Sequence, residues 1–519
     1  MAFLAEMERT LDDEFNVSVT ENGALGYCTT QSALLDLNFQ VASLRSQSEE
    51  EIVNSFIKAF YEDKRLAIKW LFFLRDVRGG LGERRSFRVI MNHLASTQPE
   101  LSKKILHIIP YYGRFDDLLQ IVSESECPDE VSNEVVDAVR KQLDLDIQCM
   151  NDHEESSLLA KWLPSANSKS KDTCSKGKMW AKLLYPNIKN SSHREKIYRK
   201  QLSALRKYLD VVEVKMSSNN WDKIHYDHVP SKSNLIYKEA FMRHDRERRQ
   251  AYLDAVNNGE AKVNSDVLYP HDIVLKYSSD NPWRITINPQ DELLEVLWNN
   301  LPNTIGDNTQ NVLVVRDGSG SMLMSVANNS RTSALHIATA LAIYFSERIK
   351  GQFKDNFITF SSKPKLINLS NLDSLHDKLE KTYAEDECSN TDIEAVFDLV
   401  LTTAVNNKIS QEEMPSTILI LSDMEFNGSR MRFNEKLFDV ISKRYENNGY
   451  KLPRLVFWNL GSRTNTIPVR TNELGVALIS GFSTNLAKMV MSNEIDPYKI
   501  LLETLNSPRY DLVDKVLDN

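Results

Sequence analysis

The sequence predicts two architectures in series: an all-α module of stacked helical pairs over residues 49–300, then a doubly wound α/β domain over residues 309–519. Three observations predict it. Between residues 51 and 123 apolar side chains recur at three- and four-residue spacing, the period of a helix with one buried face. Beyond residue 310 short runs rich in Val, Ile and Leu replace that pattern, as strands buried on both faces require. Helical stretches separate those runs, and alternation of strand and helix favours a mainly parallel sheet.

Residues 1–48 are polar with weak periodicity and are expected to form an arm with short elements. EIVNSFIKAFYED (51–63), KRLAIKWLFFLRD (64–76), ERRSFRVIMNHLA (83–95) and the stretch from Leu101 to Ser123 read as amphipathic helices separated by breaks such as RGGLGE and IIPYYGR. Successive helices with short turns suggest solenoid-like pairing, although no sequence period emerges. Residues 151–178, dominated by Ser, Lys and Asn, read as an exposed loop. Helical pattern resumes over 182–256, and Pro270, Pro282, Pro289 and Pro302 break up residues 257–310. The expected strands are NVLVVRD (311–317), FITF (357–360), STILILSD (416–423), RLVFWNL (454–460) and GVALISG (475–481); the clearest helices between them are 333–350 and 391–405.

At 519 residues the chain exceeds what one core organises well. Hydrophobic residues at 41% and charged residues at 26% are ordinary for globular domains, and 17 Gly with 16 Pro exclude a fibrous repeat. No apolar run is long enough to cross a bilayer, and MAFLAEMERTLDDEF carries acids where a secretion signal carries basic charge, so a cytoplasmic location is expected. Cys28, Cys127, Cys149, Cys174 and Cys388 lie far apart, without a CxxC pair or zinc-like spacing, and read as reduced structural thiols. The chain has no HExxH, Walker loop, nucleophile elbow or kinase signature, so a non-catalytic role is expected.

Asp317-Gly318-Ser319-Gly320-Ser321 follows one buried strand and precedes a helix. That position is the carboxyl edge of an open α/β sheet, where ligands bind. Three side-chain oxygens on one tight turn suit a hard cation, and the two glycines are expected to let the backbone fold tightly enough. Asp423 ends the strongest strand, and Thr391 lies in the loop CSNTD before another helix, with Asn390 or Asp392 as alternatives. The competing interpretation is that Asp317 and the serines only cap the following helix. This Asp-x-Ser-x-Ser, Thr, Asp set resembles the metal-ion-dependent adhesion site of von Willebrand factor A domains, over roughly the last 210 residues. The resemblance implies a divalent cation, Mg²⁺ first with Mn²⁺ or Ca²⁺ as alternatives. Ser319 and Ser321 would bind it directly, and Asp317, Thr391 and Asp423 directly or through water. One position would stay open to a carboxylate or phosphate of a partner.

Charge is distributed unevenly. Residues 161–250 hold 21 Lys or Arg against 9 Asp or Glu, +12, in a chain whose net charge is −9, so the remainder sums to −21. Such asymmetry points to a polyanion site. The candidates there are Lys161, Lys169, Lys171, Lys176, Lys178, Arg199, Lys200, Arg206 and Lys207, with a second group of Arg75, Arg78, Arg84, Arg85 and Arg88 around RGGLGERR. The interleaved aromatics Trp162, Trp180, Tyr185, Tyr198, Tyr208, Trp221, Tyr226 and Tyr237 read mainly as helix core. Without a helix-turn-helix, basic zipper or zinc finger pattern, RNA is the expected polyanion.

Residues 70–95, AKWLPS (160–165), YRKQLSALRKYLDVVEVKM (198–216) and VPSKSNLIYKEAFMRHD (229–245) resemble the TROVE-type helical modules of Ro ribonucleoproteins, in a branch that joins such a module to a C-terminal von Willebrand A domain. The resemblance covers about residues 40–519. It implies a HEAT-like helical part curling into a ring, bound to small noncoding or misfolded RNA, with the A domain closing the ring. Over most of its helical length this sequence departs from the better-known Ro proteins, and no base-reading residue transfers. The competing expectation is a metal-dependent protein-interaction module without RNA.

Overall fold

The computed structural model of the chain describes residues 15–123, 127–279, 285–307, 310–328, 330–360, 363–385, 392–428, 437–468, 475–492, 494 and 496–518. The N-terminal strands β1 (Ser18–Val19) and β2 (Leu25–Gly26) pair antiparallel. Helix α1 (Ala33–Phe39) starts at Ser32, whose hydroxyl accepts from the Leu35 amide, and buries Leu34, Leu35, Leu37 and Phe39. Helix α2 (Glu49–Glu62) starts with a Ser48–Glu51 capping box and three acids in its first turn, which suits the helix dipole. It buries Ile52, Phe56 and Ala59, the face that the periodicity of 51–63 implies.

Helices Lys64–Arg75 and Arg85–Thr97 follow where the sequence expects them. The stretch from Leu101 to Ser123 instead breaks into short pieces, Pro99–Ile105, Ile109–Tyr112 and Phe115–Leu119. Gly113 ends the second of these with φ −103 and ψ −126, outside the helical region. The longest helix, α3 (Asp129–Asp152), repeats Val131, Val135, Val139 and Leu143 as a buried stripe. Helix α4 (Lys171–Leu184) corrects the loop expected over 151–178: Ser170 caps it, and its buried Gly177, Trp180, Ala181 and Leu184 keep helical spacing beneath a polar surface. Helix α5 (Ser191–Tyr208) buries only Tyr198, Leu202 and Leu205, so most of its basic side chains face water. Of the interleaved aromatics Trp180, Tyr198 and Tyr226 belong to the core, whereas Trp162, Tyr185, Tyr208, Trp221 and Tyr237 are only partly buried.

The C-terminal sheet has the order β5-β4-β3-β6-β7-β8. Its strands are β3 (Val312–Asp317), β4 (Asn356–Phe360), β5 (Lys365–Asn368), β6 (Thr417–Ser422), β7 (Arg454–Asn459) and β8 (Val476–Ser480). All pairings are parallel except β4 with β5. Strands β3 and β6 are buried along their whole length, which explains their unbroken apolar runs. Strand β5 is not expected from the sequence: it is an edge strand, largely exposed, with only Ile367 buried. Helix α6 (Ala334–Arg348) is buried from Ala334 to Ser346, so it carries no polar stripe.

Among the described residues the chain forms two units, which divide it elsewhere than the sequence suggests. One gathers residues of 1–70, 79–81 and 265–508; the other gathers 71–78, 82–264 and residues of 509–519. The expected arm therefore belongs with the sheet. Asn459 donates to the Phe39 carbonyl (2.8 Å), and the Ala42 amide donates to Ser480 (2.9 Å), which fixes the region of α1 at the ends of β7 and β8. No described helix is long and apolar enough to cross a membrane.

Candidate functional site

Strands β3 and β6 are parallel neighbours with Arg316 opposite Leu421, so their carboxyl ends lie side by side. Asp317 closes β3 and Asp423 follows β6; both are buried. Asp317 Oδ1 accepts from the Ser319 amide (2.8 Å), and Oδ2 accepts from the Ser422 hydroxyl (2.6 Å). The Ser319 and Ser321 hydroxyls lie 3.0 Å apart, and Ser321 hydrogen-bonds Asp423. Asp317, Ser319, Ser321 and Asp423 therefore converge. Thr391 and its alternative Asn390 lie outside the described residues; Asp392 caps the helix Ile393–Asn407 by accepting from the Ala395 amide (3.1 Å). Neither Gly318 nor Gly320 is among the glycines with positive φ. Met424, which follows Asp423 directly, is buried and left-handed at φ +64.

Burial pushes the Asp317 carboxyl up to about 7, with the charge of Asp423 adding to the effect and the Ser422 and Ser319 hydrogen bonds opposing it. Burial also raises Asp423, while the Arg463 guanidinium pulls it back. Arg463 was not anticipated from the sequence. Its Nη1 lies 3.1 Å from Asp423 Oδ2 and its Nη2 lies 2.7 Å from Glu21 Oε2. Glu425 accepts from the Glu21 amide (2.9 Å), the Arg463 amide (2.7 Å) and the Thr464 amide (3.0 Å). The N-terminal strands thus hold the loop after β7 against the loop after β6. Nothing local in the sequence signals this, because Arg463 and Glu21 stand 442 positions apart.

The basic candidates separate by what they touch. Arg75 is buried against Asp117 (2.6 Å), and Arg88 bonds Asp116 (2.7 Å) and Asp117 (2.8 Å). Arg206 spends its guanidinium on the carbonyls of Ala160 (2.8 Å) and Leu163 (2.6 Å) and on the Ser165 hydroxyl (2.7 Å). These three brace the fold: a buried or partly buried guanidinium needs hydrogen-bond partners, and the fold supplies them. Arg78 donates to the Tyr111 carbonyl (3.1 Å), Arg84 stands 3.8 Å from Asp116, Lys161 stands 3.9 Å from Glu213, and Lys176 pairs with Asp172 (3.0 Å). Arg85, Lys169, Lys171, Lys178, Arg199, Lys200 and Lys207 are exposed.

Comparison with known proteins places both regions in larger groupings. The family model of a domain of unknown function, DUF2828, matches residues 20–123 and 129–310, and that of a second domain of unknown function, DUF7788, matches residues 311–504. The boundary at 310/311 falls immediately before β3. Uncharacterized protein L728 of Acanthamoeba polyphaga mimivirus is 31% identical over 524 residues, covering 94% of this chain and 87% of that protein. The similarity thus spans the helical and the sheet-forming regions together.

Proposed function

The chain belongs to the DUF2828 family, whose description prescribes no activity, and from the geometry we propose a non-catalytic scaffold that binds a divalent cation at the edge of its sheet and RNA on its helical unit. One observation carries the cation reading: four oxygen-bearing side chains from two parallel strand ends meet at one point, three of them buried and Ser321 partly so. The charge of Asp423 adds to the cost of ionising the buried Asp317, a cost that a proton or a bound cation relieves. The donor set, carboxylate and hydroxyl oxygens without thiol or imidazole, suits Mg²⁺, Mn²⁺ or Ca²⁺. Ser319 and Ser321 would hold the ion, with Asp317 and Asp423 beside or behind them, in the manner of a von Willebrand A domain. The ion would supply an electrophilic centre that captures a carboxylate or phosphate of a partner.

Calorimetric titration of the full chain with Mg²⁺, Mn²⁺ and Ca²⁺ tests this. Binding by the wild type and its loss in Asp317→Asn and Asp423→Asn are expected. Equal heats from all three proteins would remove the cation site from the reading.

The RNA reading stands on a separate observation: the exposed bases of α5 outnumber nearby acids, while the resemblance to TROVE-type modules supports a HEAT-like arrangement of the helices. Filter binding of structured RNA across a salt series tests it, because neutralised phosphates release counter-ions and make affinity fall with salt. Affinity that ignores salt would defeat the idea and leave a cation-dependent protein-docking module.

A further inference from the structure

One face of α5 carries Lys196, Arg199, Lys200 and Ser203, at helical offsets of three, four and seven residues. These side chains line a cleft of about 490 Å³, together with Ser165, Asn167, Leu202, Arg206 and Val214. The volume lies within the range of small-molecule sites. The facing wall is the backbone around residues 163–167, and it is built to hold its place. Arg206 ties it from the side through Ala160, Leu163 and Ser165. The Tyr198 hydroxyl donates to the Pro164 carbonyl (2.8 Å). From behind, α4 approaches so closely that a Cβ on Gly177 would lie 2.5 Å from the Ala166 nitrogen, so only glycine fits there.

The charge in this cleft lacks counter-charge. Among the described residues Lys196 and Lys200 meet no carboxylate, Arg199 donates only to the Glu195 carbonyl (3.3 Å), and the Arg206 fork is spent on neutral oxygens. Like charges three and four residues apart destabilise a helix. A rigid pocket that gathers four cations is therefore suited to an anion with several charges. Lysine ammoniums supply point charge, the arginine fork matches two oxygens of one phosphate, and Ser203 and Asn167 add neutral hydrogen-bonding groups. We infer that this cleft is a binding site for adjacent phosphate groups, whether of an RNA strand or of a free polyphosphate. The strand arm of this inference rests on the RNA reading above and gives it a location; the cleft chemistry does not depend on that reading.

Two probes separate the sources: a fluorescein-labelled decauridylate and inorganic triphosphate, each titrated against the full chain. The test variant is Lys196→Glu/Lys200→Glu. The charge-matched control is Lys178→Glu/Lys182→Glu, on exposed positions of α4 outside the cleft. Circular dichroism establishes that both variants fold, as expected for exposed side chains without ion-pair partners. The expected result is a loss of at least thirtyfold in affinity for both probes in the cleft variant, against less than threefold in the control. For the decauridylate the salt slope should also fall by about 1.4, two contacts on a single strand. Triphosphate binding that depends on Lys196 and Lys200 without decauridylate binding supports the cleft and removes its strand arm. Decauridylate binding that ignores the cleft variant, or falls equally in the control, overturns the cleft and leaves the RNA reading standing. A wild type that binds neither probe overturns the cleft.

Discussion

At the carboxyl edge of the sheet acids gather in the interior; on α5 bases gather in water. Asp317, Asp423 and Glu425 are buried, with Arg463 as the cation paired to Asp423, whereas Lys196, Arg199 and Lys200 stand exposed without carboxylates. The same count of like charges has different consequences in the two places. In the interior each charge is costly, so position and hydrogen bonding are fixed atom by atom and the electrostatic penalty appears in the carboxyl of Asp317. In water each charge costs little and its side chain is loose, so selectivity requires an organised wall opposite, which the clamped 163–167 segment supplies. Under the proposed reading the buried cluster would select an ion, whereas the exposed one would attract a class of polymers and need a shape to refine it.

The comparison can be broken most directly at Asp317. Asp317→Asn should lower cation affinity by two orders of magnitude or more, read by calorimetry, and should abolish any rise in melting temperature on adding Mg²⁺. An unchanged Mg²⁺-dependent melting shift would mean that the buried carboxylates do not hold the ion. Next comes Arg75, which belongs in kind to the interior although its sequence places it with the surface bases. Arg75→Ala should cost about 2–3 kcal/mol in urea unfolding, because it removes a charged hydrogen-bond partner from the buried Asp117 and leaves it only the Arg88 guanidinium as cation. A cost below 1 kcal/mol would place Arg75 back among the surface charges.

A third test uses acid. Burial holds the His336 imidazole down at about 4, from its ordinary 6.5, with the charge of Arg331 contributing. The folded group stays neutral where the unfolded one takes up a proton, so stability is present above pH 6.5 and declines as pH falls from there toward 4. The loss attributable to this residue is roughly 3 kcal/mol. His336→Gln should flatten that part of the stability profile, and an unaltered acid limb would show that His336 does not carry it. The smallest effect is expected at the surface: Lys176→Ala, which breaks an i,i+4 pair with Asp172, should change stability by less than about 0.5 kcal/mol. A larger change would show that exposed pairs on α4 matter more than their solvation implies.

Legibility followed the same division. The strands of the sheet interior were readable because burial on both faces forces continuous apolar runs, and strand ends then locate Asp317 and Asp423 without knowledge of distant contacts. Strand β5 was not readable, since an exposed edge of four residues needs only one apolar side chain. Helix α4 was obscured by its Ser- and Lys-rich first turns, which resemble a loop when its buried face is not yet known. For the bases, sequence gives charge and not availability. Arg206 and Lys200 look alike along the chain, and only the fold reveals that one braces a wall while the other faces an open cleft. Arg463 and Glu21 lay beyond reach altogether, because their partnership spans nearly the whole polypeptide.

That long partnership has a consequence for synthesis. Ser18 bonds Thr466, 448 positions later, and the backbone of Tyr27, just past β2, bridges Ile467. A ribosome releases the first of these residues long before the second exists, so the sheet-bearing half cannot complete itself as it emerges. The helical unit waits as well, because it takes in residues of 509–519, among them Tyr510 stacked on Tyr112, so neither unit closes until the residues near position 510 have arrived.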